Sequence, residues 1–193
     1  MKIAVLALQG AYIEHEEMLH QLGIECIEIR KGDDLNQEFD GLILPGGEST
    51  VMGKLLKDLN LLNPLKEKIQ QGLPVLATCA GLILLAKKLE KDDCVHFGTL
   101  PVTVRRNGYG RQLGSFEAKG QMKGIGNIPM IFIRGPYIVE ATPEVEILAE
   151  VEKKIVAVRY QNQLAMSFHP ELTQDSEVHK YFVRMAESYS KGC

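Results

Sequence analysis

Cys79, His169 and Glu171 are the residues whose types and surroundings can together carry out nucleophilic chemistry. Cys79 lies in Pro74-Val75-Leu76-Ala77-Thr78-Cys79-Ala80-Gly81-Leu82-Ile83-Leu84-Leu85, where small residues separate two apolar runs. The pattern predicts a buried strand, a sharp turn carrying the cysteine, and a helix starting just behind it. A thiol at such a turn sits over the helix's first free amides and the positive end of its dipole, which favour thiolate. His169 and Glu171 flank Pro170 at the end of a strand-like run. In an extended segment residues i and i+2 point to the same side. Glu171 would then hold one imidazole nitrogen and leave the other to face a thiol, the nucleophile, base and orienter of acyl transfer.

A tetrahedral oxyanion needs N–H donors, and two backbone amides suit. One belongs to Ala80, just past the nucleophile. The other belongs to Gly47 in Pro45-Gly46-Gly47-Glu48-Ser49-Thr50, where paired glycines at a strand's end let the chain turn tightly around a ligand. Ser49 and Thr50 are expected to cap a helix beginning near Val51. A phosphate loop is the weaker reading of this turn, because the lysine of a nucleotide-binding loop is absent and the spacing is wrong. Taken singly, each piece has a plain structural reading: a packed cysteine, a strand-to-helix connection, a packed or surface histidine. Together they fit a carboxamide substrate, with His169 handing a proton to leaving ammonia before water releases the thioester.

The elements that must hold these residues follow an α/β order. Lys2 to Leu8 is near-continuously apolar, as in a strand covered on both faces. A helix is expected over Tyr12 to Leu22, closed by Gly23, and strands over Ile24 to Ile29 and Gly41 to Leu44. Helices follow over Thr50 to Leu59 and Pro64 to Gln71, then the strand and helix around Cys79, the helix running from Gly81 to Leu89. From Cys94 to Ala165 short β-rich pieces dominate: 99–104, 131–134, 147–151, 155–160 and 164–167. They read as antiparallel additions to a parallel sheet. An amphipathic helix over Asp175 to Tyr189 closes the chain. Loops at the carboxyl ends of neighbouring parallel strands share one crevice, which would bring the Gly46-Gly47 turn to Cys79.

Bulk properties exclude several function classes. The net charge is −3, so nothing electrostatic favours nucleic acid or an anionic membrane. No apolar run approaches the ~20 residues a membrane helix needs, and no leader pattern precedes the first strand, so the cytoplasm is the expected compartment. Cys26, Cys79, Cys94 and Cys193 are widely spaced. Neither a disulfide framework nor zinc is expected, and His15, His20, His96 and His179 are read as structural. The loop Arg105 to Gln112, dense in cations and glycine, is either a solvated loop or a carboxylate pocket. One domain over residues 1–193 is the expectation.

Pro45-Gly46-Gly47-Glu48-Ser49, Thr78-Cys79-Ala80-Gly81 and Phe168-His169-Pro170-Glu171 resemble the class I (triad) glutamine amidotransferases. With Leu8-Gln9-Gly10, Arg106-Asn107, Gly110-Arg111-Gln112, Phe132-Ile133-Arg134 and Ser167 to Thr173, the chain resembles end to end the glutaminase subunits of pyridoxal 5′-phosphate synthase (the PdxT/SNO family). The resemblance implies a three-layer, flavodoxin-like α/β sandwich with a mainly parallel sheet. It implies Cys79 as nucleophile, His169 as general base and acid, and Glu171 as orienter. L-glutamine would be held by Gly47, Glu48, Ser49, Arg106, Ile133 and Arg134, with no cofactor and no metal. The implied partner is the pyridoxal 5′-phosphate synthase (PdxS/SNZ-type) subunit, in a hetero-oligomer of twelve plus twelve chains, which receives the ammonia and activates the glutaminase. Ala77 departs from the glycine of many relatives, and the turn must accommodate its methyl group.

Overall fold

The computed structural model describes residues 1–108 and 114–191. The strands are β1 (Lys2–Leu6), β2 (Glu25–Ile29), β3 (Gly41–Leu44), β4 (Val75–Thr78), β5 (Ala86–Leu89), β6 (Leu100–Arg105), β7 (Ser115–Met122), β8 (Gly126–Ile133), β9 (Tyr137–Ala141), β10 (Glu146–Val151), β11 (Lys154–Tyr160) and β12 (Gln163–Met166). The helices are α1 (Tyr12–Gln21), α2 (Ser49–Asp58), α3 (Leu62–Gln70), α4 (Ala80–Leu85) and α5 (Glu177–Ser190). Among the described residues one ten-stranded sheet runs β2-β1-β3-β4-β12-β11-β9-β6-β5, with β10 paired to β11. The first five strands of that order are parallel to one another. The antiparallel pairs lie beyond them.

Alternation along the central strands divides the core into two layers. Ala4, Leu6, Leu42, Leu44, Val75, Ala77 and Ala165 face one side, packed with Met52, Leu56, Leu65 and Leu82 from α2, α3 and α4. Ile3, Val5, Ile43, Leu76, Leu164 and Met166 face the other. That second side is covered by Leu19 of α1, by Val178, Phe182 and Met185 of α5, and by Met130 and Phe132 of the β7–β8 hairpin. Strands buried on both faces must be apolar throughout, which is why β1, β3 and β4 read as continuous hydrophobic runs. The result is the three-layer α/β sandwich expected.

Three expectations need correction. The helix behind Cys79 ends at Leu85, and Ala86–Leu89 is a strand paired with β6. Its exposed Lys87 and Lys88 suit the sheet edge, where lysines discourage further pairing. Glu48, not Ser49 or Thr50, caps α2: its two carboxylate oxygens accept from the amides of Thr50 and Val51 at 3.1 and 2.8 Å. Finally, Pro170–Leu172 is a turn of 3₁₀ helix rather than an extended segment.

The order β1-β3-β4-β12 fixes the site. These four parallel neighbours place Gln9-Gly10, Gly46-Gly47, Cys79 and His169 at the same carboxyl edge. Met166 pairs with Thr78, so β12 leaves the sheet level with the nucleophile's strand.

Candidate active site

Cys79 stands between the last residue of β4 and the first of α4, with φ 48° and ψ −98°. A positive φ in a non-glycine residue costs about 1–3 kcal/mol, so the surroundings must over-determine it. They do. The Cys79 N–H donates to Met166 O at 2.8 Å, and its carbonyl accepts from Ile83 N–H at 3.4 Å. Gly81 seats α4 on β3, because a Cβ there would overlap the Leu44 carbonyl. Cys79 is 7% exposed, and its sulfur lies 3.9 Å from the Ile133 carbonyl. The Ala80 amide is the first of α4, where helix geometry leaves it without an intrahelical partner.

His169 is tied to the hairpin layer through its N–H, which donates to Ile131 O at 2.8 Å. Its Nδ1 lies 2.7 Å from Glu171 Oε1. The pairing expected from an extended segment is thus made, but by the 3₁₀ turn folding Glu171 back under the ring. Burial by itself would lower the His169 pKa. Hydrogen bonds to the Cys79 sulfur and to Glu171, and the charges of both, outweigh it and lift the value to about 10. His169 therefore holds a proton at neutral pH. Gly46 is small for its sake, since a Cβ there would overlap the imidazole.

Behind Glu171 lies a pair of histidines that the sequence alone reads as structural. His15 and His179 are fully buried. His15 Nδ1 is 2.9 Å from His179 Nε2, and His15 Nε2 is 3.2 Å from Thr78 Oγ1 and 3.5 Å from Glu171 Oε2. One signal for them was present. His15 recurs with Met18 and Leu19, and His179 with Phe182 and Ala186, at the spacing of core-facing helix positions.

The rim closes a cleft of about 660 Å³ that contains Cys79 and His169 and is lined by Gly10, Gly47, Glu48, Ser49, Arg106, Ile133 and Arg134 among others. Every substrate-binding residue expected from the sequence is therefore gathered at one opening. Arg106 spans it, with Nη2 2.9 Å from Thr50 Oγ1 and 3.4 Å from Glu48 Oε1, and Nη1 3.2 Å from Asp92 Oδ2. Asn107 and Arg134, like Cys79, have positive φ (48° and 46°), so strained backbone gathers around the cleft. The Arg134 N–H donates to Gly114 O at 2.5 Å. The Gly46 carbonyl accepts from Ala11 N–H at 3.0 Å, which sets the plane of the 46–47 peptide. Gly110, Arg111, Gln112 and Cys193 lie outside the described residues.

The other described cysteines are unlike Cys79. Burial, helped by Glu16 and Glu25, pushes the Cys26 thiol up to about 11, and Cys94 is exposed. Among the described residues no cluster of His, Cys, Asp and Glu could hold a metal ion, and no helix is long and apolar enough to cross a membrane.

Comparison with known proteins gives a consistent picture. The model of the SNO glutamine amidotransferase family matches residues 5–188. The chain is 58% identical over 183 residues to the "Pyridoxal 5'-phosphate synthase subunit PdxT" of Desulfitobacterium hafniense (strain DSM 10664 / DCB-2), covering 95% of this chain and 92% of that one. The same-named subunit of Streptococcus pneumoniae (strain CGSP14) is 55% identical over 190 residues, covering 97% and 98%. A solved structure described as "Crystal structure of glutamine amidotransferase" superposes with a TM-score of 0.91 at 41% identity, covering 96% and 98%.

Proposed function

Because the chain belongs to the SNO glutamine amidotransferase family, we propose that it hydrolyses L-glutamine to L-glutamate and ammonia and supplies the ammonia for pyridoxal 5′-phosphate synthesis. The observation carrying this reading is the strained Cys79 turn and a Glu171-held His169 brought together inside a cleft rimmed by arginines.

The chemistry runs as acyl transfer. The Cys79 sulfur, as thiolate, adds to the carboxamide carbon. The amides of Ala80 and Gly47 stabilise the oxyanion, where one lost donor typically costs ~10²–10³ in rate. His169 gives its proton to the departing nitrogen, leaving a γ-glutamyl thioester on the sulfur and free ammonia. His169 then takes a proton from water as the water attacks the thioester, and glutamate leaves with the thiolate restored. Glu171 keeps the imidazole oriented throughout. Arg106 and Arg134 match the charge of the substrate's α-carboxylate, because guanidinium forks suit carboxylates.

The partner is the synthase subunit that consumes the ammonia, in an assembly of twelve plus twelve chains. Its docking would act on the 46–47 peptide. Aiming the Gly47 N–H anew requires that peptide to rotate away from the Ala11 N–H that holds it, which glycine permits. The test is glutamate release with and without the synthase subunit. It is combined with an electrophilic glutamine analogue followed by peptide mapping. We expect strong stimulation by the partner and a label on Cys79 alone. No glutamate in the assembled complex, or a label on Cys26 or Cys94 instead, rejects the reading.

A further inference from the structure

The Glu171 carboxylate has two oxygens, and the reaction above uses one. Oε1 meets His169 Nδ1, while Oε2, in a side chain with no exposure, makes no hydrogen bond and has His15 Nε2 3.5 Å away. His15 comes from α1 and its neighbour His179 from α5, so two helices far apart in sequence deliver both rings to the back of the triad.

Chemistry restricts where the protons sit. An ionised carboxylate only accepts hydrogen bonds, so His15 Nε2 is favourable beside it as N–H. A neutral ring protonated on Nε2 has a lone pair on Nδ1. His179 Nε2, 2.9 Å away, must then be the donor. His179 Nδ1 is left as a bare nitrogen, and that atom is buried without a partner. The reverse order turns a lone pair of His15 toward the carboxylate. It also strands a buried N–H on His179 Nδ1, the rarer and costlier kind of orphan. Only a Thr78 hydroxyl donating to His15 Nε2 would favour that reverse order, and Glu171 Oε2, which has no hydrogen-bond partner, would then lose its nearest N–H. Both rings are neutral: burial holds the His15 pKa well below its ordinary value and that of His179 at about 4.

We infer that His15 is a positioning residue of the triad, its Nε2–H facing the otherwise unpartnered second oxygen of Glu171 while His179 fixes its tautomer. The inference rests on the glutaminase reading for its consequence in catalysis. It makes a four-membered line, His179 to His15 to Glu171 to His169, behind the Cys79 sulfur. His15 also touches Thr78, the residue before the nucleophile, and so braces the triad at two points.

Two experiments test it. The first is nitrogen-15 NMR of histidine-labelled full-length protein at neutral pH, assigned with His15→Gln and His179→Gln. Both rings should be neutral and protonated on Nε2. A proton on His15 Nδ1 overturns the inference, and this readout needs neither activity nor a folded His15→Met variant. The second is glutaminase assay of His15→Met and His15→Gln in complex with the synthase subunit. Methionine has the length without the donor, whereas the glutamine amide nitrogen can donate from near the Nε2 position. His15→Met should lose about 10–100-fold in kcat with KM nearly unchanged, as for small misplacements of a catalytic group. His15→Gln should recover most of it. Equal losses in the two variants, or a loss confined to KM, overturn the positioning role. An inactive wild-type complex counts against the glutaminase reading and leaves the tautomer result to decide this one.

Discussion

His169 of the cleft and Glu171 behind it have side chains 7% and 0% exposed, whereas Arg106 and Glu48, which form a second wall of the cleft, are 33% and 50% exposed. The two walls are held differently. The first hangs from four neighbouring parallel strands and is pinned by backbone hydrogen bonds from Cys79 to Met166 and from His169 to Ile131. The second is a set of half-solvated ion pairs, each worth about 0–1 kcal/mol, and a helix cap worth about 0.5–2 kcal/mol. Geometry that must be right to a fraction of an ångström rests on the sheet. Recognition of a small, charged substrate rests on side chains free to adjust.

The sharpest way to break that comparison is to show that the two walls respond alike. Replacing the nucleophile, Cys79→Ala, should lower kcat by at least ~10⁴-fold with the synthase present, since the covalent route is gone. Glutamate release near the wild-type rate would remove Cys79 from the mechanism. Gly46→Ala should cost about 10²-fold in kcat, because the new methyl displaces the His169 ring. Gly46 does not have a positive φ, so the loss should come from the ring's position rather than from backbone strain. An active Gly46→Ala enzyme with His169 in place would mean that this wall yields more readily than its hydrogen bonds imply.

The fixed wall was also the legible one. Cys79 and its strand and helix are contiguous, and so are His169, Pro170 and Glu171, so local spacing sufficed to pick them out, though not to show the 3₁₀ turn that folds Glu171 under the ring. The apolar runs of β1, β3 and β4 were equally plain, because they are too short for buried helices and are bounded by turn residues. What could not be read depends on tertiary partners. β7, Ser115-Phe116-Glu117-Ala118-Lys119-Gly120-Gln121-Met122, alternates polar and apolar or small residues, but its Glu, Ala, Lys and Gly are poor strand formers. It forms because it pairs along eight residues with β8 and stacks Phe116 on Phe132 at 4.6 Å. Lys87 and Lys88 look helical until the sheet offers them an edge. His15 and His179 are 164 residues apart, and nothing local says that a helix face delivers each to the other.

Those two histidines give the fixed wall a signature in stability. Their folded-state pKa values lie below the unfolded value near 6.5, so between about pH 6.5 and 4 the unfolded chain binds protons that the native chain does not. Stability should fall as pH falls through that window, by up to ~1.4 kcal/mol per pH unit for each ring. His169 acts in the opposite sense. Its folded pKa of about 10 makes a contribution that is complete below pH 6.5 and fades as pH rises from 6.5 to 10. Urea unfolding of wild type and His179→Leu at pH 7, 6 and 5 isolates the acid side: the wild type should lose stability faster. Parallel curves would mean that His179 is not buried and neutral.

The smallest effects belong to the adjustable wall. In Arg106→Ala the bonds to Thr50, Glu48 and Asp92 disappear, yet all three partners keep access to water or to the α2 cap. Unfolding free energy should therefore change by less than about 1 kcal/mol. Lost substrate contacts that are equal in ground and transition states raise KM and spare kcat. The expected result is a KM increase of several-fold, up to about 10-fold, with kcat within about twofold of wild type. Arg106→Lys should fall between, since it keeps the charge and loses the fork. Steady-state glutaminase kinetics of the assembled complex decide the matter. A fall in kcat on the scale of Gly46→Ala would show that Arg106 is coupled to the His169 wall, and the two sides of the cleft would then have to be treated as one preorganised unit.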